Sequence, residues 1–150
     1  MSLDKDISSS KFRNEFHKAI VNVLYTSNWI MERNKEIFER GDITPQQYNI
    51  LRILRGAKKP LSTMQIRQRM LDKMSDTSRI VDRLLKKELV KKVVCLSDKR
   101  LVDVTITTKG LELLEVLDKY NDELDSVLNR LSHSEVCTLN LLLDKIRNSE

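Results

Sequence analysis

The sequence predicts a mainly α-helical chain with one small antiparallel β-hairpin. Only three Gly and two Pro occur among 150 residues, and 33% of the residues are charged, a composition that favours helices over long loops. Apolar residues recur at helical spacing through most of the chain. One stretch, VVCLSDKRLVDVTITTKG (93–110), reads instead as two β-branched runs around a polar turn. The length and the 40% apolar content suffice for one core, so we expect a single unit over residues 1–150.

Two helices are predicted in the first third of the chain. The first runs from about Ser9 to Arg40, with Ser8, Ser9 and Ser10 available as caps and Gly41-Asp42 at its end. The second begins at Pro45 behind the N-cap Thr44, because the missing proline N–H costs nothing at the first helical position. Its apolar face extends to a turn at 56–60 and comprises Tyr48, Leu51, Ile53 and Leu54.

Two shorter helices follow. The third begins at Ser62 or Thr63, and its apolar residues are Met64, Ile66 and Met70. The fourth begins between Asp72 and Ser75 and runs to about Glu88. Its inward side chains are Ile80, Val81, Leu84 and Leu85.

The hairpin comes directly after the fourth helix. Its strands are predicted at 92–96 and 101–107, with the turn Ser97-Asp98-Lys99-Arg100 between them. Val102, Val104 and Ile106 alternate with polar residues, as in a half-buried strand.

A long helix is predicted after Thr108, with apolar residues that step by 4, 3, 4, 3 and 4. They are Leu113, Leu117, Tyr120, Leu124, Val127 and Leu131, a heptad seam. Ser132 and Glu135 then fit a capping box at the start of a final helix. The first helix and these last two expose more apolar surface than one copy can cover, which predicts a homodimer.

Four helices, a hairpin and two more helices are the order of a winged helix-turn-helix lobe between end helices. The charge agrees with this reading, since residues 51–110 carry 16 Lys and Arg against 6 Asp and Glu. A segment this basic suits a polyanion, because neutralised phosphates release counterions. We favour nucleic acid over an anionic membrane, since the segment has no large amphipathic face with aromatic residues. A wing tipped by Lys99 and Arg100 can reach a groove or backbone beyond the fourth helix.

The sequence gives little support to an enzyme, a metal-binding protein or a membrane protein. No nucleophile with a base, carboxylate pair or ligand cluster is visible, so we expect neither enzyme activity nor a metal or cofactor. No apolar run approaches the length of a membrane span, and the N-terminus lacks a signal-peptide core, so we expect a cytoplasmic protein without membrane contact. Cys95 and Cys137 are interpreted as packed, reduced thiols; a redox switch at Cys95 is the alternative.

The stretches ITPQQYNILRIL, IVDRLLKKELV and SDKRLVDVTITTKGLELL resemble the MarR family of bacterial transcription factors over about Ile43 to Leu114. The most specific piece is Asp98-Lys99-Arg100 followed by a β run and Thr107-Thr108-Lys109-Gly110. The resemblance implies a homodimer that carries two winged lobes (43–108) onto a pseudo-palindromic operator, with dimerisation regions at 8–40 and 109–150. Leu71 departs from the pattern, because the family commonly has Gly there.

On that pattern the recognition helix lies in the major groove and Arg100 enters or flanks the minor groove. The alternative for Arg100 is an exposed loop charge paired with Asp98. Arg83, Lys86 and Lys87 are assigned to phosphates or solvent rather than bases, and Lys99 to a phosphate. One serine near the helix start is expected only to cap it. The full set of predicted DNA-binding residues is Ser62, Thr63, Ser75, Thr77, Ser78, Arg79, Arg83, Lys86, Lys99 and Arg100.

A small aromatic or anionic effector is a further partner that the resemblance implies. The predicted pocket residues are His17, Tyr25, Trp29, Tyr48 and Arg52, for which ordinary interface packing is the alternative. The predicted function is therefore a dimeric repressor of transcription that such an effector relieves. Two rivals stay open, a winged-helix module that binds a protein partner and a ligand sensor whose small molecule never affects DNA affinity.

Overall fold

The computed structural model describes Leu3 and residues 11–148. These residues form seven α-helices and one two-stranded antiparallel sheet, so the predicted fold class is confirmed. In chain order the elements are α1 (Glu15–Arg40), α2 (Pro45–Ala57), α3 (Thr63–Arg69), α4 (Thr77–Lys86), β1 (Val90–Val94), β2 (Val102–Ile106), α5 (Thr108–Asp118), α6 (Asn121–Asp125), the 3₁₀ turn Ser126–Leu128 and α7 (His133–Arg147).

One apolar core joins α2, α3, α4, the hairpin and α5. Its fully buried side chains include Ile50, Leu51, Ile66, Leu84 and Leu114. Burying a side chain of this size contributes about 1.5–3 kcal/mol to the free energy of unfolding. Leu61, between α2 and α3, exchanges two backbone hydrogen bonds with Val104 of β2, at 3.0 and 2.8 Å. The hairpin is therefore fixed to the start of α3 as well as to the end of α4.

Reciprocal capping boxes begin three of the helices at the predicted caps. The Thr44 hydroxyl accepts a hydrogen bond from the Gln47 N–H at 3.2 Å, and the Gln47 side chain accepts one from the Thr44 N–H at 3.1 Å. Ser62 and Ser132 begin α3 and α7 in the same way. Each box satisfies two N–H groups that a helix start leaves open, which explains why local sequence located these starts correctly.

The predicted start of the first helix is wrong. The proposed caps Ser8, Ser9 and Ser10 lie outside the described residues, and residues 11–14 precede the helix. Asn14 is the cap, because its side chain accepts a hydrogen bond from the His17 N–H at 2.9 Å.

The predicted heptad seam does not form one continuous helix. The long helix ends at Asp118, and α6 and a 3₁₀ turn follow. Leu117 is buried in the lobe core of the same chain, and Leu113, Tyr120 and Leu124 pack against that core. A period of 3.5 residues indicates an apolar stripe but not its partner, and here the stripe from Leu113 to Leu124 packs on the core of the same chain.

The first strand of the hairpin lies two residues before its predicted position, whereas the second strand lies within the predicted range. Leu89 and Val90 are buried in the core, so β1 begins directly after the turn that follows α4. Glu88 makes that turn with a left-handed backbone, φ 60°. Val102 lies at the outer end of the hairpin, opposite Val94, and is half exposed rather than inward.

Both end helices present apolar side chains to solvent in the single chain. On α1, Phe16 is 83% exposed, and on α7 Leu141 and Ile146 are 71% and 74% exposed. No residue of α7 is buried in the part of the chain that the structure describes. In the same part of the chain, no helix is both long and apolar enough to cross a membrane.

Candidate nucleic-acid interface

The fourth helix begins later than predicted. Its N-cap is Asp76, whose carboxylate accepts a hydrogen bond from the Arg79 N–H at 3.2 Å. Asp72, a predicted start, instead organises the preceding turn: its carboxylate accepts from the Met74 N–H at 2.9 Å, and its carbonyl from the Ser75 hydroxyl at 2.8 Å. The helix therefore begins at Thr77.

Leu71 explains how this turn dispenses with a glycine. No residue from 70 to 76 has a positive φ, so the turn needs no left-handed position. The Leu71 N–H donates to the Asn49 side chain of α2 at 2.9 Å, which satisfies the backbone where α3 ends. The Leu71 side chain itself points to solvent and is 88% exposed.

The exposed face of α4 carries four of the predicted contact residues, Ser78, Arg79, Arg83 and Lys86. Thr77 is a correction, because it is only 3% exposed and faces the core beside Val81. Its buried hydroxyl has no hydrogen-bond partner among the described residues. A side chain in this position cannot reach a base edge.

The predicted small polar residues are partly occupied by local hydrogen bonds. The Ser62 hydroxyl caps α3, and the Ser75 hydroxyl donates to the Asp72 carbonyl, so both are engaged within the turn. Thr63, the first residue of α3, lines a cleft of about 390 Å³ between α3 and the start of α4. Ser78 lines the same cleft from the other side.

Exposed cations surround this cleft and continue along α4. Arg67 and Arg69 of α3 belong to this set and were not predicted, although two arginines in the segment QIRQR are a signal that could have found them. Arg67, Arg69, Arg83 and Lys86 have no ion-pair partner among the residues described. Arg79 differs, since its Nε lies 3.2 Å from the Asp76 carboxylate.

The wing tip holds an ordered ion pair. The Arg100 Nε and one terminal nitrogen each donate to the Asp98 carboxylate at 3.0 Å, and the Arg100 N–H donates to it at the same distance. These bonds lower the pKa of Asp98 from its ordinary 3.8 and raise that of Arg100. The guanidinium is 89% exposed, so Asp98 holds an accessible cation in one orientation. Lys99 is exposed beside it.

The segment Thr107-Thr108-Lys109-Gly110 fastens the wing to the end of α4. The Thr107 hydroxyl donates to the Glu88 carbonyl at 2.8 Å and accepts from the Gly110 N–H at 3.1 Å. The Lys109 ammonium donates to the Lys87 carbonyl at 3.0 Å. A Cβ on Gly110 would lie 2.3 Å from the Leu89 carbonyl oxygen, so only glycine fits this approach. The segment thus fixes the hairpin relative to α4.

The predicted effector residues do not form one pocket within the chain. His17 and Trp29 are twelve residues apart on α1, which corresponds to about 18 Å along a helix. The Tyr48 ring stacks on Phe38 at 4.4 Å, and its hydroxyl accepts a hydrogen bond from Arg52 at 2.9 Å. Tyr25 is exposed on α1, one helical turn from Trp29.

A cleft of about 460 Å³ lies between the second half of α1 and the segment of α6 and the 3₁₀ turn. Trp29 lines it, with the Arg33 guanidinium 4.6 Å from the centre of the indole. Asn34 contributes a buried side-chain oxygen that lacks a hydrogen-bond partner among the described residues. Glu123 and Ser126 line the opposite wall. Of these residues only Trp29 was predicted, because the cleft joins segments about ninety positions apart.

Glu123 also connects the cleft to the end of α1. Both of its oxygens accept hydrogen bonds from Arg40, at 2.8 and 3.0 Å, and the Arg40 guanidinium lies 4.7 Å from the centre of the Tyr120 ring. Hydrogen bonding to Glu123 raises the pKa of Arg40.

The cysteines only partly match their prediction. Cys95 is half-buried, with its sulfur 3.1 Å from the Ser97 hydroxyl. Cys137 is exposed on α7, 3.7 Å from the His133 Nδ1, so the prediction of a packed thiol is wrong for it. No group of three or more His, Cys, Asp or Glu side chains suited to a metal ion occurs within the described residues.

Comparison with known proteins gives one family. The model of the MarR family matches residues 41–101, which include α2, α3, α4, β1 and the wing turn. No curated protein sequence matches the chain.

Solved structures extend the likeness to the end helices. A mutant of Escherichia coli MarR in complex with operator DNA is 26% identical, with a TM-score of 0.82, and the match covers 91% of this chain and 99% of that one. The apo wild-type form of the E. coli protein is also 26% identical, with a TM-score of 0.68 and coverage of 86% and 94%.

Two further matches come from other regulators. A MarR transcription factor from Planctomyces limnophilus is 29% identical, with a TM-score of 0.67 and coverage of 89% and 98%. An organohalide-sensing transcriptional regulator, crystallised with 2,4-dichlorophenol, shares the fold at 20% identity, with a TM-score of 0.78 and coverage of 92% and 86%. The family model covers α2, α3, α4, β1 and the wing turn, and the structural matches cover the flanking helices as well, so the chain is similar to MarR-family transcription regulators over most of its length.

Proposed function

We propose that this chain forms a homodimer that binds a pseudo-palindromic double-stranded DNA operator and represses transcription by occupying it. The observation that carries the proposal is the position of α4 and the wing, which present exposed cations on a fold that matches an operator complex. Arg83, Lys86 and Lys99 have no ion-pair partner among the described residues, whereas Arg79 and Arg100 each pair with a nearby aspartate. The chain superposes more closely on the DNA-bound E. coli protein than on its apo form, with TM-scores of 0.82 and 0.68. This likeness over the whole chain supports an arrangement of lobe and end helices that is compatible with DNA binding.

Each proposed DNA contact is assigned from the position of its residue on α4 or the wing. Ser78 and Arg79 lie on the first turn of α4, where a recognition helix meets base edges in the major groove. Arg83 and Lys86 lie further along, and we assign them to phosphates together with Lys99. Arg100 is assigned to the minor groove beside the half-site. Ser62 and Thr63 remain candidates for the DNA backbone, and Thr77 is withdrawn because it is buried.

Residues 43–108 form the proposed DNA-binding lobe, and the helices outside it form the proposed dimerisation region. The support for a dimer is the exposed apolar surface of α1 and α7, where Phe16, Leu141 and Ile146 have no cover in the single chain. An apolar surface of this extent on two end helices is typical of an interface. Two lobes held by such an interface read two half-sites in opposite orientation.

We place the effector in the cleft beside Trp29. The cleft has an aromatic wall and an unsatisfied amide oxygen on Asn34, so a small aromatic compound with a hydrogen-bond donor fits its chemistry. Trp29 is the only tryptophan of the chain, which makes its fluorescence specific for the cleft. Titration with phenols and aromatic acids should quench this fluorescence and release DNA over the same concentration range. Quenching without DNA release would favour a sensor that does not control DNA affinity.

The DNA proposal is tested by selection from a random duplex library with the full chain, followed by binding measurements on the selected site. We expect a palindromic site and an affinity that falls steeply with salt, since each phosphate contact contributes about 0.9 to the slope of log K against log[salt]. Arg83→Gln should make the slope shallower by about 2 for a dimer, and the exposed Arg130 of the C-terminal segment gives the matched control Arg130→Gln. A library that yields no preferred site, or a flat salt response, would favour the protein-partner module.

The same proposal covers activity and location. The matched relatives are transcription regulators, and we propose that this chain likewise has no enzymatic activity. Because its proposed partner is chromosomal DNA, we also propose a cytoplasmic location.

A further inference from the structure

Apolar side chains are exposed at the surface that faces the proposed DNA. Met74, in the turn before α4, is 93% exposed, and Met64, in the first turn of α3, is 71% exposed. Both line the cleft of about 390 Å³ that lies between α3 and the start of α4. Two methionines left in water on a surface otherwise rich in arginine gain nothing for the folded chain, since neither packs into the core.

The chemistry around the methionines identifies what could cover them. Arg67, Asp76 and Ser78 line the same cleft, and Arg67 has no ion-pair partner among the described residues, so a cation available to a DNA phosphate lies beside the two methionines. In the major groove of DNA the one apolar group on a base edge is the 5-methyl group of thymine. Methionine suits such a contact, because its unbranched thioether chain adapts to the position of a small group.

We propose that Met64 and Met74 read thymine, by packing against its 5-methyl group in the major groove beside the start of α4. The inference rests on the proposed function and adds a specificity that hydrogen bonding from Ser78 and Arg79 does not supply. Met74 is the principal contact because it is the more exposed and directly precedes the helix cap segment. Met64 forms the second wall of the same cleft.

The expected size of the effect follows from the group removed. Burial of one methyl-sized group changes affinity by about fourfold, and a dimer with one such thymine in each half-site gives roughly sixteenfold. Replacing thymine with deoxyuridine removes that methyl group alone, since base pairing, phosphates and the other groove atoms stay the same. The contribution of the methyl can therefore be measured without changing the hydrogen-bond pattern.

The probe is the duplex selected from a random library by the full chain, made with thymine or with deoxyuridine at each thymine position in turn. Wild type should lose affinity at one or two thymines in each half-site, by about fourfold each. Met74→Ala should bind the thymine duplex more weakly and lose most of the discrimination, and Met64→Ala should lose part of it. Leu71→Ala is the matched control, because Leu71 is 88% exposed nearby but does not line the cleft. It should keep the full discrimination.

The experiment distinguishes thymine reading by the methionines from DNA binding itself. Equal binding of the thymine and deoxyuridine duplexes by wild type overturns thymine reading and leaves DNA binding in place. A discrimination that Met74→Ala and Met64→Ala both retain also overturns it, because another side chain then contacts the methyl. If no duplex is selected at all, the proposed function fails and the inference fails with it. Circular dichroism of each variant checks that the exposed substitutions leave the fold intact.

Discussion

The same substitution at two glycines should have opposite effects on stability. Gly110 lies in the first turn of α5, and Gly56 lies near the end of α2. A Cβ at Gly110 would meet the Leu89 carbonyl oxygen at 2.3 Å and the Ile106 Cγ1 at 2.7 Å. A Cβ at Gly56 would meet nothing within 4 Å. Both glycines lie in helices with ordinary negative φ, so only the space around them differs.

The loss of stability in Gly110→Ala depends on which atoms must move to admit the new Cβ. The Leu89 carbonyl is backbone and already accepts a hydrogen bond from the Thr107 N–H at 3.1 Å, so it cannot retreat without disturbing the base of the wing. Overpacking of this kind costs about 1–3 kcal/mol, and a rigid obstacle places Gly110→Ala near the upper end, at about 2–3 kcal/mol. At Gly56 the alanine stabilises the helix by about 0.5–1 kcal/mol, because it restricts the unfolded chain.

The assay is thermal unfolding at a fixed protein concentration, since the midpoint of a proposed dimer depends on concentration. Gly110→Ala should lower Tm by about 4–12 °C, and Gly56→Ala should raise it by about 1–4 °C. A Tm for Gly110→Ala within 1 °C of wild type would show that the wing and α5 yield easily, and the reasoning about this junction would be refuted. A fall of similar size at Gly56 would refute the comparison as well.

Three further predictions concern the wing, an ion pair and the dimer. Arg100→Ala should weaken DNA binding by ~1–3 kcal/mol, by an amount that depends on the A·T content beside the half-site. Lys99→Ala should instead weaken binding to all DNA sequences alike and reduce the slope of log K against log[salt]. A site-selection series at two salt concentrations measures both effects. Asp118 accepts two hydrogen bonds from Arg55, at 2.7 and 3.0 Å, and Arg55 holds the pKa of Asp118 below 3.8. Asp118→Asn should therefore cost about 0.5–1 kcal/mol by urea unfolding at pH 7, and the difference from wild type should disappear only as the pH falls through that lowered pKa. Ile146→Glu, on the exposed face of α7, should give a monomer by sedimentation while the helical circular dichroism of the lobe is kept; an unchanged dimer would exclude that face from the interface.

The lobe was predictable because its signals are local. Thr44 and Ser62 begin helices through bonds to residues three positions away, and such pairs are visible in the sequence as S/T-x-x-Q. The alternation of Val104 and Ile106 with polar residues likewise predicted β2 without knowledge of its neighbours. The fold class and the resemblance to the MarR family therefore followed from the sequence, and the structure and the comparisons confirm them. The order of the elements was predicted correctly as far as the hairpin.

The start of α4 could not be predicted, because several polar residues compete for the same role. Asp72, Ser75 and Asp76 are all good caps, and the choice depends on how the turn meets the rest of the lobe. Asn49, 22 positions away, binds the backbone at Leu71 and fixes the end of α3, so Asp72 shapes the turn and Asp76 caps the helix. The same shift buries Thr77.

The prediction of one long helix with a heptad seam is wrong for a related reason. The stripe from Leu113 to Leu124 is real, but its partner is the lobe of the same chain. An apolar period specifies that a face is covered and leaves open whether a second copy or the same chain covers it. In this chain Leu124 packs against the lobe core, so an acidic substitution there would unfold the lobe and say nothing about a dimer. Substitutions at the exposed apolar residues of α7 therefore test the dimer interface more directly.

Two residues at the end of α1, Arg40 and Asp42, connect α1 to other parts of the chain. Arg40, the last residue of α1, binds Glu123 on one side. Asp42 follows with a left-handed backbone, φ 52°, and both its carbonyl and its carboxylate contact the ammonium of Lys87, the C-cap of α4.

The partners of this junction are 83 and 45 positions away, so no local pattern could have indicated it. Glu123 is also a wall of the cleft beside Trp29. A ligand in that cleft that draws Glu123 away from Arg40 would therefore act two residues from Asp42, the acceptor that holds the end of α4. Under the proposed function, release of Arg40 from Glu123 would disturb a junction, residues 40–42, that contacts both the wall of the cleft and the end of α4.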